Sequence, residues 1–480
     1  MRLLFCIPTT QLSGGVKVIF ELAQGMAQAG DTVHVFSYAG QPKWFSLQTP
    51  LIEAKSFAEI PYREYDWVIV SNAFMVPMVL PHLAATEGKT RGLFFCQDYE
   101  SFHHSTTNTY EGFMEECPTF VKLYQLPLPI ITQSRAVQSL IKEHTGVNSW
   151  VVPVGLNKST FFPRQPHHSG EVKRVLMVGN YLMPYKGMKD GFEALRQLAA
   201  EIPVQLVMVT QESRNRALFA DLPYPVEIHF RPTEEKIPDI MASCDVYCCT
   251  SWYEGLGLPA LESFCCGLPV VSMRTYGVSD YGVDEVNLLL ASPNDASDLS
   301  EKLKRLLLDA ELQERFRQAG FQTVANDYNW EHSFTLFREA IGEIDRAYSG
   351  PGEVDGRAMQ GLLDQLEAEG NLTPIEVFRS FQAPAAELKD LCAGMIESGQ
   401  VSEVQAKRVF ELRQAFGEYL NNSQAEYYDA FKTKYDLCQL ILSFKGHPNF
   451  GSYLQLILTK NQQSGNPTSA SFSEIQYPVS

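Results

Sequence analysis

Two carboxylates, Glu254 and Glu262, stand in the stretch SWYEGLGLPALESFCCGLPVV, residues 251–271, with Gly255, Gly257 and Pro259 between them. Pro259 suits the first position of a helix and Gly267 its C-terminal cap, so Glu254 falls in a loop and Glu262 in the first helical turns. Periodicity alone does not set how the two side chains face each other. The backbone N–H groups of a helix start lack partners within the helix, and glycines ahead of them let a ligand approach the chain. A phosphate on those N–H groups, with the carboxylates accepting from hydroxyls on either side, is one chemistry this stretch can perform, and sugars supply such hydroxyls. The other reading is structural: Glu262 complements the helix dipole and Glu254 is a solvated loop charge. Both readings stay open on this stretch alone.

A second segment, VLMVGNYLMPYKGMKDG, puts Lys186 in a loop directly after a buried strand, at the same end of a sheet as Glu254. Ligands of open α/β sheets sit outside the carboxyl ends of the strands. Lys186 is therefore a candidate countercharge for a diphosphate, against the alternative of a solvated loop lysine. Near the start, RLLFCIP runs into TTQLSGGVKV, which places Gly14 and Gly15 at a helix start and makes a second anion-receptive loop; a Gly-Gly pair is also commonly a tight turn.

The elements that must hold these residues follow from the alternation of short apolar runs with amphipathic stretches. RLLFCIP, TVHVFS, DWVIVS, GLFFCQD and PIITQS read as strands, with helices over 15–29, 75–86 and 135–144. The polar, proline-bearing TFFPRQPHHSGEVK reads as a linker, after which RVLMVGN, VQLVMVT, VEIHFRP, DVYCCTS, PVVSM and NLLLAS restart the rhythm, with helices at 189–200 and 234–244. Helical periodicity follows over 296–320 and 329–347. The fold class expected is α/β: a first domain over 1–165, a second over 166–347 with a returning helix, an acidic helical extension over 350–460 and a loose polar tail over 461–480.

Composition removes several functions. A net charge of −17 in 480 residues argues against nucleic acid or anionic lipid as the main partner, since both select basic surfaces. The apolar runs are shorter than the roughly 20 residues of a membrane span, and the N-terminal run has no cleavage region, so a cytoplasmic location without a transmembrane segment is expected. The adjacent pairs Cys248/Cys249 and Cys265/Cys266 point to opposite faces and do not converge on one zinc as spaced pairs do, so the ten cysteines read as buried thiols. No Asp-x-Asp run suggests a metal, and none is expected as cofactor.

Taken in order, SWYEGLGLPALESFCCGLPVV with its E-x7-E pair, VGNYLMPYKG, CDVYCCTS and VPVGLNKSTFFP resemble family four of the retaining nucleotide-sugar glycosyltransferases, whose GT-B fold sets two Rossmann-like domains around a cleft. The likeness covers about residues 1–347, is specific over 174–290, and leaves 350–480 outside it. It implies a nucleotide diphosphate sugar as donor and a glycan or glycoconjugate acceptor. By the same resemblance Glu254 holds donor-sugar hydroxyls, Glu262 holds the ribose, and Gly255, Leu256, Gly257 and Leu258 meet sugar and phosphates. Lys186 binds the diphosphate, and Gly14 and Gly15 close on it from the first domain.

Two positions depart from the family. Arginine usually precedes the lysine by six residues, and here Asn180 stands there; a neutral amide cannot neutralise a leaving diphosphate, which leaves Lys17, Lys189 and Arg231 as candidate substitutes. In the first domain GLFFCQDYESFHH offers Gln97, Asp98 and Glu100 where relatives commonly present a histidine, and its QDYE run resembles bacterial surface-polysaccharide transferases, rhamnosyltransferases among them. Asp98 and Glu100 can orient an acceptor hydroxyl or, with pKa raised by a closed cleft, take its proton; alternatively they are capping loop charges. His103 and His104 read as exposed loop residues. Glu254, Lys186 and Asp98 are thus the candidate catalytic set. Two alternatives to a transferase remain: a sugar-nucleotide or glycan-binding subunit docked to a partner, or itself, through 350–460, and a glycoside hydrolase using the two carboxylates.

Overall fold

The computed structural model describes residues 1–368 apart from 11, 38–39, 43, 53, 55–56, 105–108, 165–169, 182, 212–218, 220 and 348–349. Most of the expected extension and the whole expected tail lie outside the described residues.

The first sheet is built from β1 (Arg2–Cys6), β2 (Thr32–Phe36), β3 (Leu51–Ile52), β4 (Trp67–Val70), β5 (Arg91–Cys96), β6 (Ile130–Thr132) and β7 (Ser149–Val151), in the order β3-β2-β1-β4-β5-β6-β7. The second holds β8 (Lys173–Val178), β9 (Val204–Thr210), β10 (Val226–Phe230), β11 (Val246–Cys249), β12 (Val270–Met273) and β13 (Leu289–Ala291), in the order β10-β9-β8-β11-β12-β13. Every pairing in both sheets is parallel. Near-continuous apolar runs such as WVIV and VYCC, buried at each position, are what a sheet covered by helices on both faces demands. Successive residues feed opposite faces: Leu3 and Phe5 join one apolar cluster, Leu4 and Cys6 the other. Each cluster draws residues from both sheets.

Strand order reverses between β1 and β4 in one sheet and between β8 and β11 in the other. The crevices at such reversals are where α/β sheets bind ligands. The loop after β1 leads to Gly14 and Gly15, that after β8 to Lys186, and that after β11 to Glu254, so the topology gathers the three candidate segments at strand ends flanking these points.

The helical run expected over 296–320 is two helices, Ala296–Leu308 and Ala310–Asp327, broken where Asp309 leaves helical geometry and caps the second by accepting from the Leu312 N–H at 2.9 Å. Helix Trp330–Ala347 returns to the first sheet, where Phe337 lies 6.3 Å from Phe5 and 6.0 Å from Phe95, ring to ring, and Arg338 donates to Asp31 at 2.6 Å. The outgoing and returning chains touch as they cross, with the Leu156 N–H donating to the Tyr328 carbonyl at 3.3 Å and Lys158 Nζ to the Ala325 carbonyl at 2.9 Å. Of the extension, helix Gly356–Ala368 is described; its Leu363 and Leu366 are buried, and it packs on helices Val76–Ala84 and Pro118–Tyr124 of the first domain. No helix among the described residues is long and apolar enough to cross a membrane.

Candidate active site

Lys186 ends a short turn, Pro184–Lys186, that is tied to the segment after β11 by two hydrogen bonds: Thr250 Oγ1 donates to the Lys186 carbonyl and the Trp252 N–H to the Tyr185 carbonyl, both at 2.7 Å. This brings Lys186 Nζ to 2.8 Å from Glu254 Oε1, which also accepts from Ser251 Oγ at 2.6 Å. Burial alone would lower the Lys186 ammonium, but the Glu254 charge, Tyr185, the hydrogen bond to Glu254 and Cys249 together outweigh it and push the pKa above the ordinary lysine value, so the cation is firmly held.

Beyond Glu254 the chain is held by its carbonyls. Gly277 N–H donates to the Glu254 carbonyl at 2.8 Å, Ser134 Oγ of the first domain to Gly255 at 2.7 Å, and Tyr281 Oη to Gly257 at 3.0 Å. Gly257 takes φ +84° immediately before helix Leu258–Cys266, a conformation costly for any residue with a Cβ. Gly255 lies so close to the Gln97 carbonyl that a side chain there would overlap it. Across the gap, the Leu258 methyl lies 3.6 Å from where a side chain at Gly14 would begin, and Gln97 Oε1 lies 3.3 Å from the same point at Gly15. The two helix starts therefore face each other. The first is capped by Ser13 Oγ, which accepts from the Val16 N–H.

Glu262, in the second turn of helix Leu258–Cys266, has its own lysine. Lys17 Nζ, from the first domain, lies 3.8 Å from Glu262 Oε1 and 2.9 Å from Glu234 Oε1. Burial raises the Glu262 pKa above the ordinary carboxyl value, the Lys17 charge counters it, and Glu234 adds to the rise. Of the other candidate cations, Lys189 is exposed on helix Met188–Ala199, and Arg231 lies over the Phe230 ring with Nε donating to the Gln211 carbonyl at 3.3 Å. Asn180 is half-buried, its carbonyl accepting from the Met183 N–H at 3.1 Å.

On the first-domain side the geometry corrects three expectations. His103 is not an exposed loop residue: its Nε2 meets Asp98 Oδ2 at 2.7 Å and its ring packs 4.8 Å from Tyr185 and 5.8 Å from Tyr253. The sequence hid this because the rings come from the other domain. Of His104, only the backbone is described. Asp98 is not raised toward a base: burial works in that direction, but His103, the Tyr253 hydroxyl and the charge of Lys186 together hold the carboxyl below its usual value. A carboxylate so stabilised suits orienting a hydroxyl rather than holding its proton. Glu100 accepts from the Ala73 N–H at 2.9 Å, at the start of the turn Ala73–Met75, so it caps an earlier segment rather than the one that follows it.

Burial pushes Glu100 up to about 8 against the bond from Ala73, so its carboxyl is mostly protonated at neutral pH. An unfolded chain gives up that proton from about pH 4.5, so the folded form binds more protons across the window to about pH 8 and loses stability as pH rises through it. Glu100→Gln, which keeps the acceptor and cannot ionise, should flatten that decline. Melting temperatures of the wild type and variant from pH 5 to 8.5 check this; parallel curves would refute it.

Sequence reasoning missed Gln133, Ser134, Tyr253, Asp280 and Glu234. Gln133 Nε2 donates to the Gln97 carbonyl at 2.6 Å, the Tyr99 N–H donates to Tyr253 Oη at 2.8 Å, and Asp280 accepts from the Arg135 and Ala136 N–H groups of the first domain, both at 2.7 Å. Gln133 and Ser134 follow β6 directly, so the strand-end rule that found Lys186 applies to them too. Three acceptors here, Gln97 Oε1, Gln133 Oε1 and Asp98 Oδ1, are buried without a hydrogen-bond partner among the described residues. Buried acceptors left this way call for a donor from elsewhere.

Known proteins bear on this arrangement. Residues 158–323 match the family model described as glycosyl transferases group 1. The chain is 28% identical over 205 residues to the MMP alpha-(1->4)-mannosyltransferase of Mycolicibacterium hassiacum, covering 40% of this chain and 49% of the relative. It is 24% identical over 218 residues to an uncharacterised glycosyltransferase of Methanocaldococcus jannaschii, covering 45% and 59%. The chain thus spans about half the length of the curated relatives it matches. Among solved structures, sucrose-phosphate synthase from Thermosynechococcus elongatus aligns with TM-score 0.61 at 18% identity, over 72% of this chain and 100% of the other. Anabaena HepE in complex with UDP and glucose aligns with TM-score 0.58 at 17% identity, over 72% and 100%. These likenesses give the fold, two parallel-sheet domains in the GT-B arrangement. The likeness in sequence to the glycosyl transferases group 1 runs through residues 158–323, about a third of the chain.

Proposed function

We propose that the chain transfers a glycosyl unit, with retention, from a nucleotide diphosphate sugar to a hydroxyl of a glycan or glycoconjugate. The observation that carries this reading is the Lys186–Glu254 pair, 2.8 Å apart beside a glycine-bearing helix start. A sugar diphosphate can replace both halves of that pair at once: its phosphate oxygens take the ammonium and the helix-start amides, and its hydroxyls donate to the carboxylate. A glycoside without a phosphate would leave Lys186 without its partner. The bond from sugar carbon to diphosphate oxygen breaks with its electron pair on the oxygen. The acceptor oxygen forms the new bond, and its hydrogen is released as a proton. Lys186 and the amides from Gly255 to Leu258, with those at Gly14 and Gly15, stabilise the charge gained by the diphosphate in an environment fixed before reaction. Glu254 holds sugar hydroxyls, Glu262 the ribose, and Gln97 and Asp98 orient hydroxyls on the acceptor side. No metal enters this account. The HepE complex with UDP and glucose supports the donor class, and the mannosyltransferase relative supports transfer of a sugar.

Calorimetric titration of the full chain with UDP, GDP, ADP and dTDP tests this. Micromolar binding of one of them, and its release from the matching sugar nucleotide when a glycan acceptor is added, are expected. Binding of none, or activity on a simple glycoside with no nucleotide present, would overturn the reading.

A further inference from the structure

A diphosphate ester carries a negative charge on each phosphate and gains another as the sugar leaves, whereas Lys186 is a single cation already matched to Glu254. Among the described residues, the other cation placed between the domains against the candidate carboxylates is Lys17. It rises from the first turn of helix Gly14–Gln28, just past the Gly14–Gly15 loop that faces Leu258. Its ammonium is shared by two carboxylates of the second domain, Glu234 at 2.9 Å and Glu262 at 3.8 Å, and lies 5.4 Å above the Phe161 ring. A third carboxylate, Glu21, sits one turn along the same helix and adds to the negative field around Lys17. Glu234 also accepts from Asn157 Nδ2 at 3.5 Å, so it has support apart from the lysine. A cation shared by two carboxylates, one of which, Glu262, is better occupied by ribose hydroxyls, is a cation in reserve.

We propose that Lys17 is the second cation of the diphosphate site, supplied by the first domain and parked on Glu234 and Glu262 until a sugar nucleotide binds. The inference rests on the donor reading above. Ribose hydroxyls donating to Glu262 take the more distant of the two acceptors now facing the ammonium, the diphosphate charge competes with Glu234 for it, and the flexible four-carbon stem lets Nζ swing back along its own helix toward the facing helix starts. Because Lys186 belongs to the second domain and Lys17 to the first, the diphosphate meets both cations only when the domains are shut on it. Neutralisation of the leaving group and closure over the donor then become one event.

The test is calorimetry on the full chain, wild type against Lys17→Met, which keeps the stem over Phe161 and removes the charge, and Lys17→Arg, which keeps the charge. The ligands are whichever of UDP, GDP, ADP and dTDP binds the wild type most tightly, with its 5′-monophosphate and its nucleoside. Lys17→Met should weaken the diphosphate by about tenfold or more while the nucleoside changes less than about twofold, with Lys17→Arg between wild type and Met. Equal losses for all three ligands would make Lys17 a shaper of the ribose pocket and overturn the proposal, as would no loss for any. Melting curves establish that the variants are folded. If the wild type binds none of the four diphosphates, the donor reading falls and this one with it; if the wild type binds and the Met variant binds equally, this one alone falls.

Discussion

Lys186→Ala lowers turnover of the donor by about 100- to 1000-fold, the range expected when one preorganised charge-stabilising group is lost from a water-poor site. The effect should fall on kcat more than on donor KM, since the charge on the diphosphate peaks as the sugar departs. Lys186→Arg should recover only part, because the guanidinium is a planar fork and the present geometry, with Nζ 2.8 Å from Glu254, is built for a point charge. Removing the lysine also strands Glu254 without its cation, a destabilisation unrelated to catalysis. The double variant Lys186→Met with Glu254→Gln isolates the second effect through its melting temperature: it should regain thermal stability, whereas its activity is lost with either residue. Full activity in a folded Lys186→Ala chain would remove the diphosphate role.

Glu262→Ala acts on binding. A carboxylate accepting from ribose hydroxyls contributes roughly 1.5–3 kcal/mol, so the dissociation constant for the preferred nucleoside diphosphate should rise about 10- to 150-fold. Lys17 keeps Glu234 at 2.9 Å, so the substitution does not leave an ammonium stranded between the domains. The 2′,3′-dideoxy form of the same nucleotide makes the assignment specific. The wild type should bind it as weakly as the alanine variant binds the natural one, and the variant should not distinguish the two nucleotides. A variant that still discriminates between them would place the ribose elsewhere.

These expectations draw on a site only partly legible in the sequence. The sheets were legible because buried parallel strands read as unbroken apolar runs, and the donor-side loops because glycine, proline and charge at strand ends have few structural uses. That rule made Lys186 and Glu254 candidates, and the family resemblance supplied their roles. The first-domain side needed tertiary knowledge. His103 looks like a solvated loop residue until Tyr185 and Tyr253 arrive from the other domain, and Asp98 reads as a base until its histidine, a tyrosine hydroxyl and a distant lysine outvote burial. Asp280 meets the helix start at Arg135 and Ala136 far along the chain, and no local pattern announces such a partner. The break at Asp309 was concealed because periodicity continues through a single capping residue.

The paired crossing near Leu156 and Tyr328 constrains motion. Two segments running side by side and bonded to each other act like the pin of a nutcracker: they permit swinging about one line while resisting sliding and twist. An opening that keeps these two bonds would give its greatest travel to the parts of the jaws farthest from the pin.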